Sequence, residues 1–170
     1  MYSIIVARPG DIPFLAAIEL AAARLLSGHA PESILNETTS LEELSSAQRD
    51  GRLWVAVAQD LPVGFAHVKI LKPAVAHLEE IDVHPDHGRR GLGTILIREV
   101  CAWARSRSYQ SVTLTTFRDV PWNMPFYARL GFEELRDDEL TTALLSTIKD
   151  ETERGLDPSR RVAMRWKCWE

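Results

Sequence analysis

The sequence is poor in the features that mark several large classes of protein. It has only two cysteines, Cys101 and Cys168, far apart and with no CxxC pair. Neither a disulfide framework nor a thiol-based metal site is therefore expected, and a reducing, cytoplasmic setting is the simplest expectation. No apolar run reaches the roughly 18 residues that a bilayer-spanning helix needs. Residues 1–8, MYSIIVAR, have no basic leader ahead of an apolar stretch, so they do not read as a signal peptide. Positive charge is not in excess: 20 Lys and Arg stand against 24 Asp and Glu, a net charge of −4. That balance argues against a nucleic-acid binder. Repeats and low-complexity linkers are missing too. What remains is ordinary globular usage, 170 residues with 45% hydrophobic and 26% charged. Such a chain can bury a core without staples, and one domain over residues 1–170 is expected.

The element order is read from punctuation and periodicity. Residues 3–8 are β-branched and apolar, a first strand broken by Pro9-Gly10-Asp11. Asp11 suits an N-cap, and Ile12, Leu15, Ile18, Ala22 and Leu25 then recur at helical spacing to about Ser27. Residues 28–36 look like a loop, and Thr39 or Ser40 can cap a second helix, with Glu42 and Glu43 completing a capping box. Three strand-like segments follow at 53–58, 63–71 and 75–83, ended by Gln59-Asp60-Leu61-Pro62, Lys72-Pro73 and His84-Pro85-Asp86. Their short turns suggest an antiparallel meander. A helix over 94–107, a strand at 111–117, a short helix at 121–130 closed by Gly131 and a strand at 132–135 come next. Residues 137–155 read as an exposed, acidic helical insertion before a last strand at 162–168. The result is an α/β (α+β) fold, a mixed and mostly antiparallel sheet flanked by helices.

The richest segment joins strand to helix through His84-Pro-Asp-His-Gly88-Arg89-Arg90-Gly91-Leu92-Gly93. A glycine-rich turn at a helix start presents unpaired N–H groups, and the helix dipole adds positive charge, so the turn suits a phosphate or diphosphate. Arg89 and Arg90 add two cations, while Gly91 and Gly93 allow close approach to the backbone. No Lys-Ser/Thr follows the glycines and their spacing is not GxGxxG, which disfavours a P-loop or dinucleotide fingerprint. The glycines could equally serve only a tight turn. Further on, Asn123-Met-Pro-Phe126-Tyr127-Ala-Arg-Leu-Gly131-Phe132 starts a short helix. There Asn123 could be a simple N-cap and Tyr127 a half-buried core residue.

Together these segments resemble the GNAT superfamily of acetyl-CoA-dependent N-acetyltransferases. Residues 81–94 are similar to that family's pyrophosphate motif, Arg/Gln-x-x-Gly-x-Gly/Ala, and residues 123–132 to its Asn…Tyr…Gly-Phe motif, in the family's order. The resemblance implies the acyl-CoA N-acyltransferase fold, acetyl-CoA as co-substrate and a primary amine acceptor meeting in a ternary complex. It implies coenzyme contacts from Ile81, Asp82, Val83, Gly88, Arg89, Arg90, Gly91, Leu92, Gly93, Thr94, Asn123, Phe126 and Tyr127. One departure is Gly88, where the family usually has Arg or Gln; backbone N–H groups with Arg89 and Arg90 must then carry the anion. Tyr127 matches the family's general acid, and an N–H near Val83 the expected partner of the thioester oxygen.

The amine needs a base. With a pKa of ~10.4, only about one lysine-like amine in 2,500 is neutral at pH 7. Glu79 and Glu80 are the candidates, Glu80 slightly favoured; a regular strand points them to opposite faces, and a β-bulge would change which one meets the cleft. The acceptor is expected to lie against residues 29–39, with Glu32, Glu37, Trp54 and Trp122 as candidate contacts. A small amine is favoured, with a protein N-terminus or lysine, or a silent acyl-CoA-binding module, as alternatives. Neither a nucleic-acid nor a membrane partner is expected, and the apolar positions of the insertion helix leave room for a homodimer. His84 and His87 with Asp82 and Asp86 do not share a helical face, so no metal is expected. Cys101 reads as a small core residue rather than an acyl carrier.

Overall fold

The computed structural model describes residues 1–72 and 74–170. Pro73, half of the expected break after the third strand, lies outside them. Seven strands form one sheet in the order β1-β2-β3-β4-β5-β7-β6: β1 Tyr2–Val6, β2 Leu53–Ala58, β3 Leu61–Leu71, β4 Val75–Val83, β5 Ser111–Phe117, β6 Glu133–Glu134 and β7 Arg161–Lys167. Only β4 and β5 pair in parallel; every other pair is antiparallel. The mixed, mostly antiparallel sheet and the β2–β3–β4 meander are as the turn spacing indicated.

The helices are α1 Leu15–Ala23, α2 Glu32–Leu35, α3 Leu41–Arg49, α4 Leu92–Ser106, α5 Met124–Arg129 and α6 Thr142–Glu153. Side chains alternate across β2 and β3, so the sheet buries both faces. Trp54, Ala56, Ala66 and Val68 face Leu92, Leu96, Val100 and Ala104 of α4. Leu53, Val55, Val57 and Phe65 face Leu15 and Ile18 of α1 and Leu44 and Ala47 of α3. The second helix begins at Ser40, whose hydroxyl accepts from Glu43 N at 3.1 Å. The β2–β3 turn is tighter than expected: Gln59 and Asp60 both have positive φ, and Leu61-Pro62 already belong to β3 beside a register shift.

Four local expectations change. Asp11 is not an N-cap; it accepts from Arg8 N at 2.8 Å and from the Arg8 guanidinium, closing a box around a 3-10 turn over Pro9–Phe14. Pro13 inside that turn delays α1 to Leu15, and α1 ends at Ala23 in a second 3-10 turn. The loop at 28–36 contains the one-turn α2. The insertion is not a solvated face: α6 docks through Leu144 against Leu135 and Ala163. Its buried Glu151 accepts from Arg161 Nε at 3.2 Å and from Thr115 Oγ1 at 2.6 Å.

That last pair sets the position of α6. Glu151→Ala leaves the enclosed Arg161 guanidinium without its partner, a loss of ~3–5 kcal/mol. Urea unfolding monitored by circular dichroism measures it, and a loss below ~1 kcal/mol shows that packing alone seats the helix.

Candidate active site

β4 pairs with β5 only from Val75 to His77, opposite Ser111 to Thr113. His77 Nδ1 sits 2.9 Å from Thr113 Oγ1 at the last of these pairs. Beyond it β4 stays with β3, β5 stays with β7, and a gap opens between their edges. His84 N donates to Val63 O at 2.8 Å. By the alternation of an antiparallel ladder, the N–H groups of Ile81 and Val83 then point the other way, into the gap.

The mouth of the gap is the glycine-rich turn. After the 3-10 turn at Pro85–His87, Gly91 takes φ 77° and caps α4. Ile95 N is the first to reach a main-chain carbonyl, Gly91 O at 3.1 Å. The N–H groups of Leu92, Gly93 and Thr94 are left for a ligand. Gly93 leaves its Cβ position open to Phe126, whose ring would lie 3.6 Å from an added carbon. Gly88 has an ordinary backbone, whereas Arg89 has φ 59°, a left-handed conformation that costs a non-glycine residue ~1–2 kcal/mol. Tyr2 pins the turn: its hydroxyl lies 2.9 Å from His87 Nδ1, and the Arg90 guanidinium lies over its ring.

A bulge decides between the two glutamates. The β3–β4 register jumps from His67↔Glu80 to Val68↔Leu78, leaving Glu79 without an opposite residue. Both carboxylates consequently lie on the α1 side of the sheet. Glu79 is drawn off by Lys69, whose Nζ donates to Oε1 at 3.3 Å. Glu80 stands at the gap with Asp82, two residues on along the same face. The negative charge of Asp82 bears directly on Glu80.

Tyr127 comes from the opposite face. It belongs to the α4-side core and is 8% exposed, yet the negative charge of Glu80 and Asp82 reaches it through the gap. Burial, then those carboxylates, raise its pKa, so its proton is retained. Burial raises Glu80 well above the usual carboxylate range, with Asp82 and Glu19 adding to it. Burial also pushes Asp82 up to about 7. Asn123 occupies the N-cap position of α5 without a side-chain cap bond, and its carbonyl accepts from Tyr127 N at 3.1 Å.

Other candidates fall elsewhere. Trp54 is a core residue, stacked edge-on against Trp103 on the α4 side, so it cannot meet an acceptor. Glu32 pairs with Arg24 on the surface. Glu37 pairs with Arg154 at 2.6 Å, and exposed Trp122 stands edge-on to His29. Cys101 lies in the core, where burial pushes its thiol up to about 12. Among the described residues no group of three or more His, Cys, Asp and Glu is placed to hold a metal ion.

Two residues enter the site without having been singled out. His67, 1% exposed, faces Glu80 across the strands, and burial lowers its pKa to about 4. Glu19 sits on α1, which packs on β4, and its carboxylate accepts from Thr39 N and Oγ1 at 3.0 and 3.1 Å. Its signal was present in the sequence, because position 19 lies four residues after Leu15, on the apolar stripe of its helix.

The raised carboxyl pair has a consequence for stability. A carboxyl with an elevated folded-state pKa stabilises below its ordinary value near ~4 and loses that contribution as pH rises through the folded value. For Asp82 the loss runs from about pH 4 upward and is complete near its pKa of about 7. In the unliganded protein, Asp82→Asn should melt above the wild type at pH 8 by roughly 3 °C, and by less at pH 5. Calorimetry at the two pH values checks this; a gap that does not change with pH contradicts a shared proton.

The family model for the acetyltransferase (GNAT) family matches residues 20–132. An uncharacterized N-acetyltransferase of Methanocaldococcus jannaschii is 36% identical over 97 residues, 54% of this chain and 42% of that protein. A glucosamine 6-phosphate N-acetyltransferase of Trypanosoma brucei brucei is 37% identical over 59 residues, 35% of this chain and 38% of that protein. The matches thus span about two fifths of these curated relatives. Among solved structures, the PaiA N-acetyltransferase of Thermoplasma acidophilum, in complex with coenzyme A, superposes with a TM-score of 0.75 at 17% identity, covering 98% of this chain and 99% of that one. With the family model matching about two thirds of its length and the sheet parted between β4 and β5, the chain belongs to the GNAT acetyltransferase family.

Proposed function

We propose that this protein transfers the acetyl group of acetyl-CoA to a primary amine of a small molecule, by direct attack within a ternary complex. The observation that carries the reading is the gap between β4 and β5. It has free N–H groups on one edge, a helix N-terminus at its mouth, carboxyls on one face and a phenol on the other. A neighbour of the same fold solved with coenzyme A supports the donor.

In this reading the turn at 88–94 holds the diphosphate through main-chain N–H groups, with Arg89 and Arg90 supplying positive charge. The coenzyme arm enters the gap and the Val83 N–H faces the thioester oxygen, which gains charge during attack. The Glu80–Asp82 pair takes the proton from the incoming ammonium. With its pKa raised, Glu80 is a stronger base than an exposed carboxylate. The amine nitrogen bonds to the carbonyl carbon, the C–S bond breaks, Tyr127 gives its proton to the departing thiolate, and the second proton shed by the nitrogen as it becomes an amide restores the phenol. Burial raises the phenol, but the same enclosure raises the thiol, which narrows the difference between them.

A small acceptor is favoured over a peptide by the roof of the site. Arg154, after α6, bridges to Glu37, and Arg160 Nη1 donates to His29 O at 2.8 Å. A Cβ at Gly155 would lie 3.4 Å from the Pro31 side chain. The loop after α1 and the connector after α6 therefore close on each other, whereas a peptide needs an open groove. Thiol release from acetyl-CoA across a panel of amines and peptides tests the activity; no release with any acceptor rejects it. Tyr127→Phe should lower kcat roughly 10²-fold with little change in the Kd for coenzyme A, and an unaltered kcat removes the phenol from the reaction.

A further inference from the structure

The glycine-rich turn holds a conformation that its own residues do not favour. Arg89 has φ 59°, in the left-handed region, and Gly88 before it has no side chain with which to anchor the segment. A non-glycine residue stays in that region only where its surroundings hold it there. The bonds inside the turn are local. His87 N donates to His84 O at 2.8 Å, Gly88 N to Pro85 O at 3.1 Å and Asp86 N to His84 Nδ1 at 3.1 Å. They shape the 3-10 turn at Pro85–His87 and stop short of Arg89.

Support from outside the turn comes from Tyr2. Its hydroxyl lies 2.9 Å from His87 Nδ1, a bond that either group can donate. The two rings meet edge to face at 5.7 Å, and the Arg90 guanidinium lies 5.8 Å from the centre of the Tyr2 ring. Tyr2 therefore touches the chain on both sides of Gly88-Arg89. Among the described residues, its hydroxyl makes the one side-chain hydrogen bond that ties positions 85–91 to another element. Tyr2 is itself fixed. It stands opposite Ala58 in the β1–β2 ladder, and its ring packs against the core on the α4 side. A rigid strand thus reaches a turn whose conformation needs holding.

We propose that Tyr2 is a positioning residue for the donor. Through His87 and Arg90 it holds the turn so that the N–H groups of Leu92, Gly93 and Thr94 are presented together to the coenzyme diphosphate. This rests on the acetyl-transfer reading and adds to its donor site a residue from the edge strand β1, which takes no part in the gap. Tyr2 acts on binding and touches no reacting atom. A turn left loose would have to be ordered when the coenzyme arrives, and that ordering appears as a weaker Kd.

Calorimetric titration of the full chain with coenzyme A tests this. Tyr2→Phe keeps the ring beside Arg90 and removes the hydroxyl; it should weaken coenzyme A roughly fivefold, the worth of one hydrogen bond. Tyr2→Leu removes the ring as well and should weaken it further. His87→Leu should lose as much as Tyr2→Phe, and the two together no more than either alone, because both remove the same contact. Dephospho-coenzyme A, which keeps the diphosphate and lacks the 3′-phosphate, should show the same losses. A contact that serves stability alone lowers the Tm of the unliganded variants and leaves Kd where it was. An unchanged Kd in folded Tyr2→Phe or His87→Leu overturns the proposal, and if one variant does not fold the other decides. Additive losses in the double variant, or a loss with coenzyme A that its dephospho form does not share, overturn it too and leave acetyl transfer intact. No heat with wild-type protein and coenzyme A removes the acetyl-transfer reading itself, and this proposal with it.

Discussion

The separation of β4 from β5 after the His77–Thr113 pair governs the rest of the molecule. Backbone N–H and C=O groups are costly to leave unpaired. Here two central strands each give up one ladder along more than half their length. Each keeps its outer neighbour, β4 with β3 and β5 with β7, so the sheet opens without dissolving. The opening makes a passage between faces that the sheet elsewhere keeps apart. A tyrosine from one core and carboxyls from the other face meet there, and the unused N–H groups of β4 become binding groups.

The bulge at Glu79 performs a second division of labour. Without it, adjacent glutamates face opposite sides of the sheet. With it both lie on the α1 side, where Lys69 neutralises one and the other stays unpaired beside Asp82. The same burial that raises Glu80 and Asp82 makes the unliganded site expensive above neutral pH. Such a cost is reasonable in a site that waits for an ammonium, since the incoming cation removes it.

The insertion before β7 belongs to this design. The Glu151–Arg161–Thr115 contacts seat the last turn of α6 over β5 and β7, and Arg154, just past that same end, reaches Glu37. A segment that adds little to the sheet is thus tied to the loop after α1. The Gly-rich turn is held from the other side by Tyr2 of the first strand. The glycine-rich turn and the loop after α1 are therefore fixed by elements far apart in the chain.

Much of this was legible in the residues themselves. The glycines at 88, 91 and 93, the Asn123–Tyr127–Gly131 spacing and the strand–turn punctuation are local signals. They determine the element order, the glycine-rich turn and the family, because hydrogen-bond and dihedral requirements act over a few residues. Tertiary structure alone decided what depends on register and packing. Period-two reasoning could not place Glu79 and Glu80, because one unpaired residue reverses the alternation. Trp54 and Glu32 read as acceptor contacts only until core packing and a surface ion pair claimed them. Glu19 joined the site because α1 crosses β4, a contact between residues about sixty positions apart.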